Sequence, residues 1–433
     1  MSWNLFEKRA FSRSEEELNS QILKIAKEIV KKCGGVPLAL KTLGSSMQFK
    51  KSVEEWLATR DSEIWKTAEG NRIMASLKLS YMNLSSQLKE CFAYCSIFPK
   101  GHVIYKQELI GQWMANGLVS FTRSMRDTKI DLANECFEQL VQVSFLQNVE
   151  HIYDANVTCN MHDLVYDLAQ SISDQRIFLI SDTKQAINEE NGEVNPTKIK
   201  KMRALHISGG NSSVVNMISK AQSLRSLYLE RIMLLRTLPI SITKLIHLRY
   251  ICISDCQFTT IPNDIGSLWS LEALHLRDCD MITYLPKSIG KLIYLRILEL
   301  NNLKLKHLPE SIGQCQSLQN LIISNSQITS IPNSLGQLVN LKFLNIFNCS
   351  ELKCLPESIG NLTNLESLNL PWCRKLNWLP ESISNLVNLI FWISMIARTL
   401  RKFRNQLVSS LILRALICHG AEDSNVYRNH LAI

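Results

Sequence analysis

A proline that recurs every 23 or 24 residues constrains this chain more than any other feature. Pro239, Pro262, Pro286, Pro309, Pro332, Pro356 and Pro380 keep that spacing. Each follows Leu or Ile, and each is followed two residues later by Ser or Asp and then Ile or Leu. Five copies continue with glycine: Gly266, Gly290, Gly313, Gly336 and Gly360. An apolar frame, L-x-x-[LI]-x-[LI], repeats in step from Leu224, Leu248, Leu271, Leu295, Leu318, Leu341 and Leu365. A fixed period of this kind means one small unit stacked on copies of itself. The frame predicts a short strand per copy, its three apolar side chains turned inward and each copy burying its apolar face on the next. Proline donates no ladder hydrogen bond, so it belongs where the strand has ended and the chain turns back. The Ser or Asp two residues on is expected to cap the short helical or 3₁₀ turn that follows.

Period and frame resemble leucine-rich repeats. The ninth frame position, beside the strand, suits a small side chain that bonds the loop backbone; it is Cys256, Cys279, Cys349 and Cys373. Free cysteine is among the most buried residue types, so these thiols are read as inert packing rather than metal or redox groups. The outward positions of the strands line a concave face and carry what remains for function. Tyr228, Arg231, Tyr250, His275, Arg277, Glu299, Asn325, Phe343, Phe347 and Trp372 are the candidate partner-binding residues. Aromatic and polar side chains spread over a rigid sheet suit protein recognition, with Trp, Tyr and Arg the usual anchors. They compose no catalytic triad and no carboxylate pair, so no catalytic residue is assigned among them.

The sequence before the repeats is helical. Ser14 to Glu17 reads as a capping box, Leu18, Ile22, Ile25, Ala26 and Ile29 as the apolar stripe of the helix it opens, and Gly34-Gly35 as its stop. Lys31 and Lys32 suit that helix's C-terminus, and a second helix starts at Pro37, where a missing N–H costs nothing. Further on stand CFAYCSIFPK at 91–100, LIGQWMANGL at 109–118 and Met161-His162-Asp163, the last opening a helix with Leu164, Leu168 and Ile172 on one face. Trp56, Trp65, Trp113 and Trp269 are expected to fill cores.

The order of these segments resembles the nucleotide-binding switch region of plant intracellular immune receptors, the NB-ARC type joined to leucine-rich repeats. Residues 2–11 look like the family segment ahead of its G-x-P-L-A motif, Gly35 to Ala39 match that motif, 91–118 look like its winged helix, and Met161-His162-Asp163 match its M-H-D motif. The resemblance implies an α+β multidomain fold, a helical and winged-helix NB-ARC C-terminal half followed by a right-handed solenoid of parallel strands. It divides the chain into 1–72 (helical part), 73–180 (winged helix), 181–200 (linker), 201–394 (repeats) and 395–433 (an atypical cap or tail). It implies ADP or ATP as the family's ligand, with Pro37 and Leu38 of the G-x-P-L-A motif at the adenine and His162 at the β-phosphate. Exchange of ADP for ATP then follows recognition of a pathogen effector or a modified host protein by the repeats. The chain departs from that pattern: it contains no G-x-x-x-x-G-K-[ST] and no apolar strand ending in a metal-binding Asp, so no metal site is assigned. Weak or no nucleotide binding and no hydrolysis are expected. The rival reading is a constitutive interaction scaffold or decoy without a nucleotide switch.

Composition narrows the remaining classes. Hydrophobic residues make up 46% and charged residues 20%, which excludes a disordered chain, and 433 residues suffice for two or three cores. Forty-eight Lys+Arg against 39 Asp+Glu leave +9, too dilute to imply nucleic acid, and 76–165 show no basic cluster with aromatic interleaving. Thirteen scattered cysteines show no zinc or disulfide spacing. With no signal-peptide pattern at the start, the expected compartment is the cytoplasm, or the nucleus. The polar stretch near 184–200 reads as a linker. After Leu389 the frame decays; residues 395–433 read as a polar cap, as an amphipathic helix on a membrane surface or as an altered reading frame, and the sequence leaves these open.

Overall fold

The computed structural model describes residues 2–393, apart from 12–19, 68–70, 120–128, 153–155, 174–176, 182–195, 210–217, 234 and 390. The capping box at Ser14, most of the expected linker and the tail beyond 394 lie outside the described residues. The chain divides between Leu179 and Ile180 into two compact units.

In the first unit the helices are α1 (Ser2–Ala10), α2 (Ser20–Lys32), α3 (Pro37–Met47), α4 (Val53–Arg60), α5 (Ile64–Thr67), α6 (Arg72–Met82), α7 (Ser86–Tyr94), α8 (Lys106–Asn116), α9 (Lys129–Gln142) and α10 (Asp163–Ile172). Helix α2 runs into Gly34 and Gly35 at φ +65° and +78°, and α3 opens with Pro37 at its first turn behind Val36. Those left-handed φ values are ones glycine adopts without cost, which is why the helix stops there. Phe6, Ile25, Ala26, Ile29, Leu40 and Trp56 share one core, and Phe11 stacks on Trp56 at 5.5 Å. Ser52 and Glu55 form a reciprocal capping box on α4 that the sequence reading did not single out. A three-stranded sheet of β1 (Ile104–Tyr105), β2 (Gln147–Ile152) and β3 (Asn156–Asn160), ordered β1-β3-β2 and antiparallel, makes the wing. Trp113 is fully buried and its Nε1–H donates to the Cys91 carbonyl at 3.1 Å. On α10 the buried face centres on Val165, Leu168 and Ala169, while Leu164 and Ile172 sit at its margins.

Strand β4 (Ile177–Ser181) spans the division, and α11 (Pro196–Lys201) is a short helix within the stretch expected as linker. The second unit is a ladder of parallel strands in sequence order: β5 (Ala204–Ser208), β6 (Ser226–Glu230), β7 (Tyr250–Ser254), β8 (Ala273–Arg277), β9 (Ile297–Asn301), β10 (Asn320–Ser324), β11 (Phe343–Phe347), β12 (Ser367–Asn369) and β13 (Phe391–Ile393). Every inward frame residue is buried, from Leu224, Leu227 and Leu229 through Leu365, Leu368 and Leu370. At about 25 cal/mol per Å² of apolar surface, this stacked leucine column is the main source of the unit's stability.

Each proline of the period begins a 3₁₀ turn, but the serine two residues on does not cap it. Pro286 and Pro309 themselves stand at the cap positions, and Ser288 and Ser311 point their hydroxyls into the packing without a partner. That corrects the capping expectation. The reason is the neighbouring copy: a Cβ on Gly290 would lie 2.4 Å from the Ser311 carbonyl oxygen, so glycine and serine are the close contact between successive turns. Trp269 also departs from expectation. It is half-exposed in the turn before β8, its ring 6.4 Å from that of Tyr294, because it lies at the edge of the ladder and not on an inward position.

Candidate functional site

Parallel pairing without a register shift places equivalent outward residues in rows across the second sheet. One row runs His206, Tyr228, Cys252, His275, Glu299, Ile322, Asn345, Asn369, each opposite the next. Neighbours in a row are about 4.8 Å apart, so their chemistry decides whether they close on each other or stay open.

On the early strands they close. The rings of His206 and Tyr228 lie 4.3 Å apart, and those of Tyr250 and His275 5.1 Å. His275 Nδ1 meets Glu299 Oε2 at 2.6 Å, Arg277 Nε donates to Glu299 Oε1 at 2.7 Å, and Asn301 donates to the same carboxylate. The expectation that Tyr228, Tyr250, His275 and Glu299 stand open to a partner is therefore corrected: all four are buried, Tyr250 to 0% exposure and Glu299 to 6%. Arg277 is half-buried in the same cluster, whereas Arg231 is exposed, with one nitrogen donating to Ser208 at 2.6 Å. Burial acting alone would push the Glu299 carboxyl up. The Arg277 charge, followed by the hydrogen bond and charge of His275, outweighs it and holds the group at about 2. The Glu299 carboxylate is thus occupied from within the sheet, and the cluster is structural, with His275 Nε2 left as a buried nitrogen without a partner.

On the late strands the wall opens. Phe343 is 42% exposed, Phe347 36% and Trp372 43%, with Asn325 exposed beside them. The residue after each strand forms a second row in the left-handed region: Arg231, Asp255, Asp278, Asn302, Asn325, Asn348 and Trp372, with φ from +50° to +62°. Asn and Asp tolerate that conformation, and four members bond in pairs along the row, Asn302 to Asp278 and Asn348 to Asn325. Trp372 does not suit it. A bulky aromatic held at φ +62° stores about 1–2 kcal/mol of strain while presenting its ring to solvent.

The four ninth-position cysteines are buried, and Cys256, Cys279 and Cys373 each bond a backbone carbonyl at 3.2 Å, as the loop requires. Burial pushes the thiols of Cys349 and Cys373 up to about 12 and 11. All twelve described cysteines are free thiols.

In the first unit Pro37 is exposed at the start of α3 and Leu38 is buried behind it. His162 is exposed at the N-cap of α10, where its Nδ1 accepts the Leu164 N–H at 3.2 Å. That bond leaves Nε2 as the ring nitrogen not used by the helix. Among the described residues no hydrogen bond, ion pair or ring contact joins His162 to Pro37 or Leu38. A shallow cleft in the same unit is lined by Lys31, Lys32, Trp65 and Arg72.

One strand of the wall escaped the sequence reading, and two residues placed outward by it were not picked as binding candidates. Strand β5 belongs to a further copy whose frame opens with Met202 in place of leucine, so His206 was not counted as outward. Asn345 and Asn369 carry no charge or ring to draw notice, yet each has a buried Oδ1 without a partner. Their common place in the frame was the available signal.

Comparison with known proteins places both units. Residues 97–169 match the winged helix domain of disease resistance proteins, and 201–293 and 286–416 match a leucine-rich repeat region. The RGA1 protein of Solanum bulbocastanum is 39% identical over 254 residues, which is 58% of this chain and 24% of that one. Disease resistance protein RGA2 of the same plant is 35% identical over 265 residues, 61% of this chain and 24% of its own length. Disease resistance protein RPM1 of Arabidopsis thaliana is 33% identical over 177 residues, 40% of this chain and 19% of its own. The chain thus spans about a quarter or less of the length of these relatives.

Proposed function

This chain belongs to the plant NB-ARC leucine-rich-repeat disease-resistance proteins, and from that premise we propose that its repeat unit recognises another protein in defence. The recognised protein is a pathogen effector or a host protein that an effector has modified. The observation that carries this reading is Trp372: a strained backbone holds an aromatic ring outward beside Phe343 and Phe347. Strain kept at an exposed aromatic is the mark of a site retained for contact and not for folding. No described helix is long and apolar enough to cross a membrane. The test is pairwise binding of the whole chain to a panel of purified pathogen-secreted proteins and host proteins. At least one binder is expected, and Trp372→Ser with Phe343→Ser is expected to weaken it tenfold or more. Binders indifferent to both substitutions would overturn the reading.

We further propose that Pro37, Leu38 and His162 are the lid half of an ADP/ATP site. What supports it is an exposed proline ring for a base to lie on and an exposed His162 whose Nε2 the helix leaves unused. When bound, the nucleotide would supply a ligand-dependent switch and no chemistry on these side chains. A specific observation favours the rival scaffold reading as well: His162 completes its helix cap, and Pro37 its helix start, with no nucleotide needed. Thermal unfolding with ADP separates the two. Ligand at a hundred times its dissociation constant stabilises by about 2.7 kcal/mol. We expect millimolar ADP to give far less in this chain; a full shift, abolished by His162→Ala, would contradict that and sink the scaffold reading.

A further inference from the structure

Along the outward face of the sheet, most asparagines are occupied by their neighbours. Asn301 bonds Glu299 and accepts from Ser324 at 2.6 Å, Asn302 bonds Asp278, and Asn348 bonds Asn325 at 2.7 Å. Asn345 on β11 and Asn369 on β12 are not. They face each other in register, and each has a buried Oδ1 with no partner; Asn369 is only 8% exposed. A buried amide without a bond is costly, and native structures keep few of them without a reason. The pair lies among the exposed rings of Phe343, Phe347 and Trp372, and the adjacent charges, Lys342 and Glu366, neutralise each other at 2.8 Å.

We propose that Asn345 and Asn369 bind the backbone of an extended, uncharged peptide segment of the partner protein, whose apolar side chains insert between Phe343, Phe347 and Trp372. A carboxamide offers one acceptor and a donor group, the same complement as a peptide unit, so two adjacent amides match successive N–H and C=O groups of a strand. The rings supply apolar contact without selecting charge, and the nearby Lys342 and Glu366 are paired with each other. The inference rests on reading this face as a recognition wall, and goes further in naming what it grips.

The test pans a random phage-displayed dodecapeptide library on the whole chain and measures binding of the selected peptides, synthesised free, by fluorescence anisotropy. Selected peptides are expected to be low in charge. Asn345→Ala with Asn369→Ala should weaken them about tenfold or more, and N-methylation of the contacted peptide backbone should cost a similar factor. Combined, the two changes should cost much less than their product, because they remove the same bonds. Asn369→Leu supplies a readout that needs no ligand: removing an unpaired buried acceptor should leave the melting temperature unchanged or raise it. Binding that depends on the three rings but not on the amides or the peptide N–H groups would overturn this inference and leave the recognition wall standing. Binding that depends on neither would overturn both. Failure to select any peptide, or a melting temperature lowered by several degrees in Asn369→Leu, would overturn the inference alone.

Discussion

Strands β7 to β9 and strands β10 to β12 bury the same inward leucines, yet their outward faces end in different states. On the early strands Tyr250, His275, Arg277 and Glu299 interlock until little of them meets solvent. On the late strands Phe343, Phe347 and Trp372 have, among the described residues, no large or oppositely charged neighbour beside them in their rows and remain open. Row partners, not residue type, separate the two: an aromatic at the first outward position is wholly buried as Tyr250 and 42% exposed as Phe343. One half of the face spends its polar groups on folding; the other leaves its aromatic rings in solvent.

The largest effect expected from that contrast is at Glu299. Glu299→Ala strands the Arg277 charge and the His275 ring and should destabilise the repeat unit by about 3–5 kcal/mol in urea unfolding. The contribution also has a pH signature. The folded-state pKa is depressed from 4.5 to about 2, so the stabilisation is complete above about 4.5 and is lost as pH falls through 2. Glu299→Gln should lack that acid-labile part, and equal acid sensitivity in variant and parent would break the contrast. A smaller change of opposite sign is expected at Trp372. Trp372→Asn relieves a left-handed aromatic and should raise stability by about 1 kcal/mol while removing the ring on which the proposed recognition depends. Smallest is Phe343→Ser, an exposed position whose unfolding free energy should move by no more than about 0.5 kcal/mol. A loss there as large as that at Glu299 would place Phe343 in the packing.

The repeat ladder was legible because its signal is periodic: each inward leucine is fixed by the frame, and the frame is visible without knowing what lies opposite. The helix stop at Gly34-Gly35 and the helix start at Pro37 were legible because backbone conformation there is set by one or two residues. The outward residues were not, since the fate of His275 depends on Glu299, one full repeat away, and on a register the sequence does not print. Ser288 and Ser311 misled for a related reason: local capping preference gave way to contact with the glycine of the preceding turn. His162 was legible as a helix-start residue, but which ring nitrogen the helix occupies required coordinates.

Hydroxyl-radical footprinting of the intact chain, read by mass spectrometry, tests the division of the outward face most directly. The account expects fast oxidation of Phe343, Phe347 and Trp372 and strong protection of Tyr228 and Tyr250, with protection of the first group appearing only when a binder is added. Equal rates in the two groups, or rapid oxidation of the tyrosines, would contradict it.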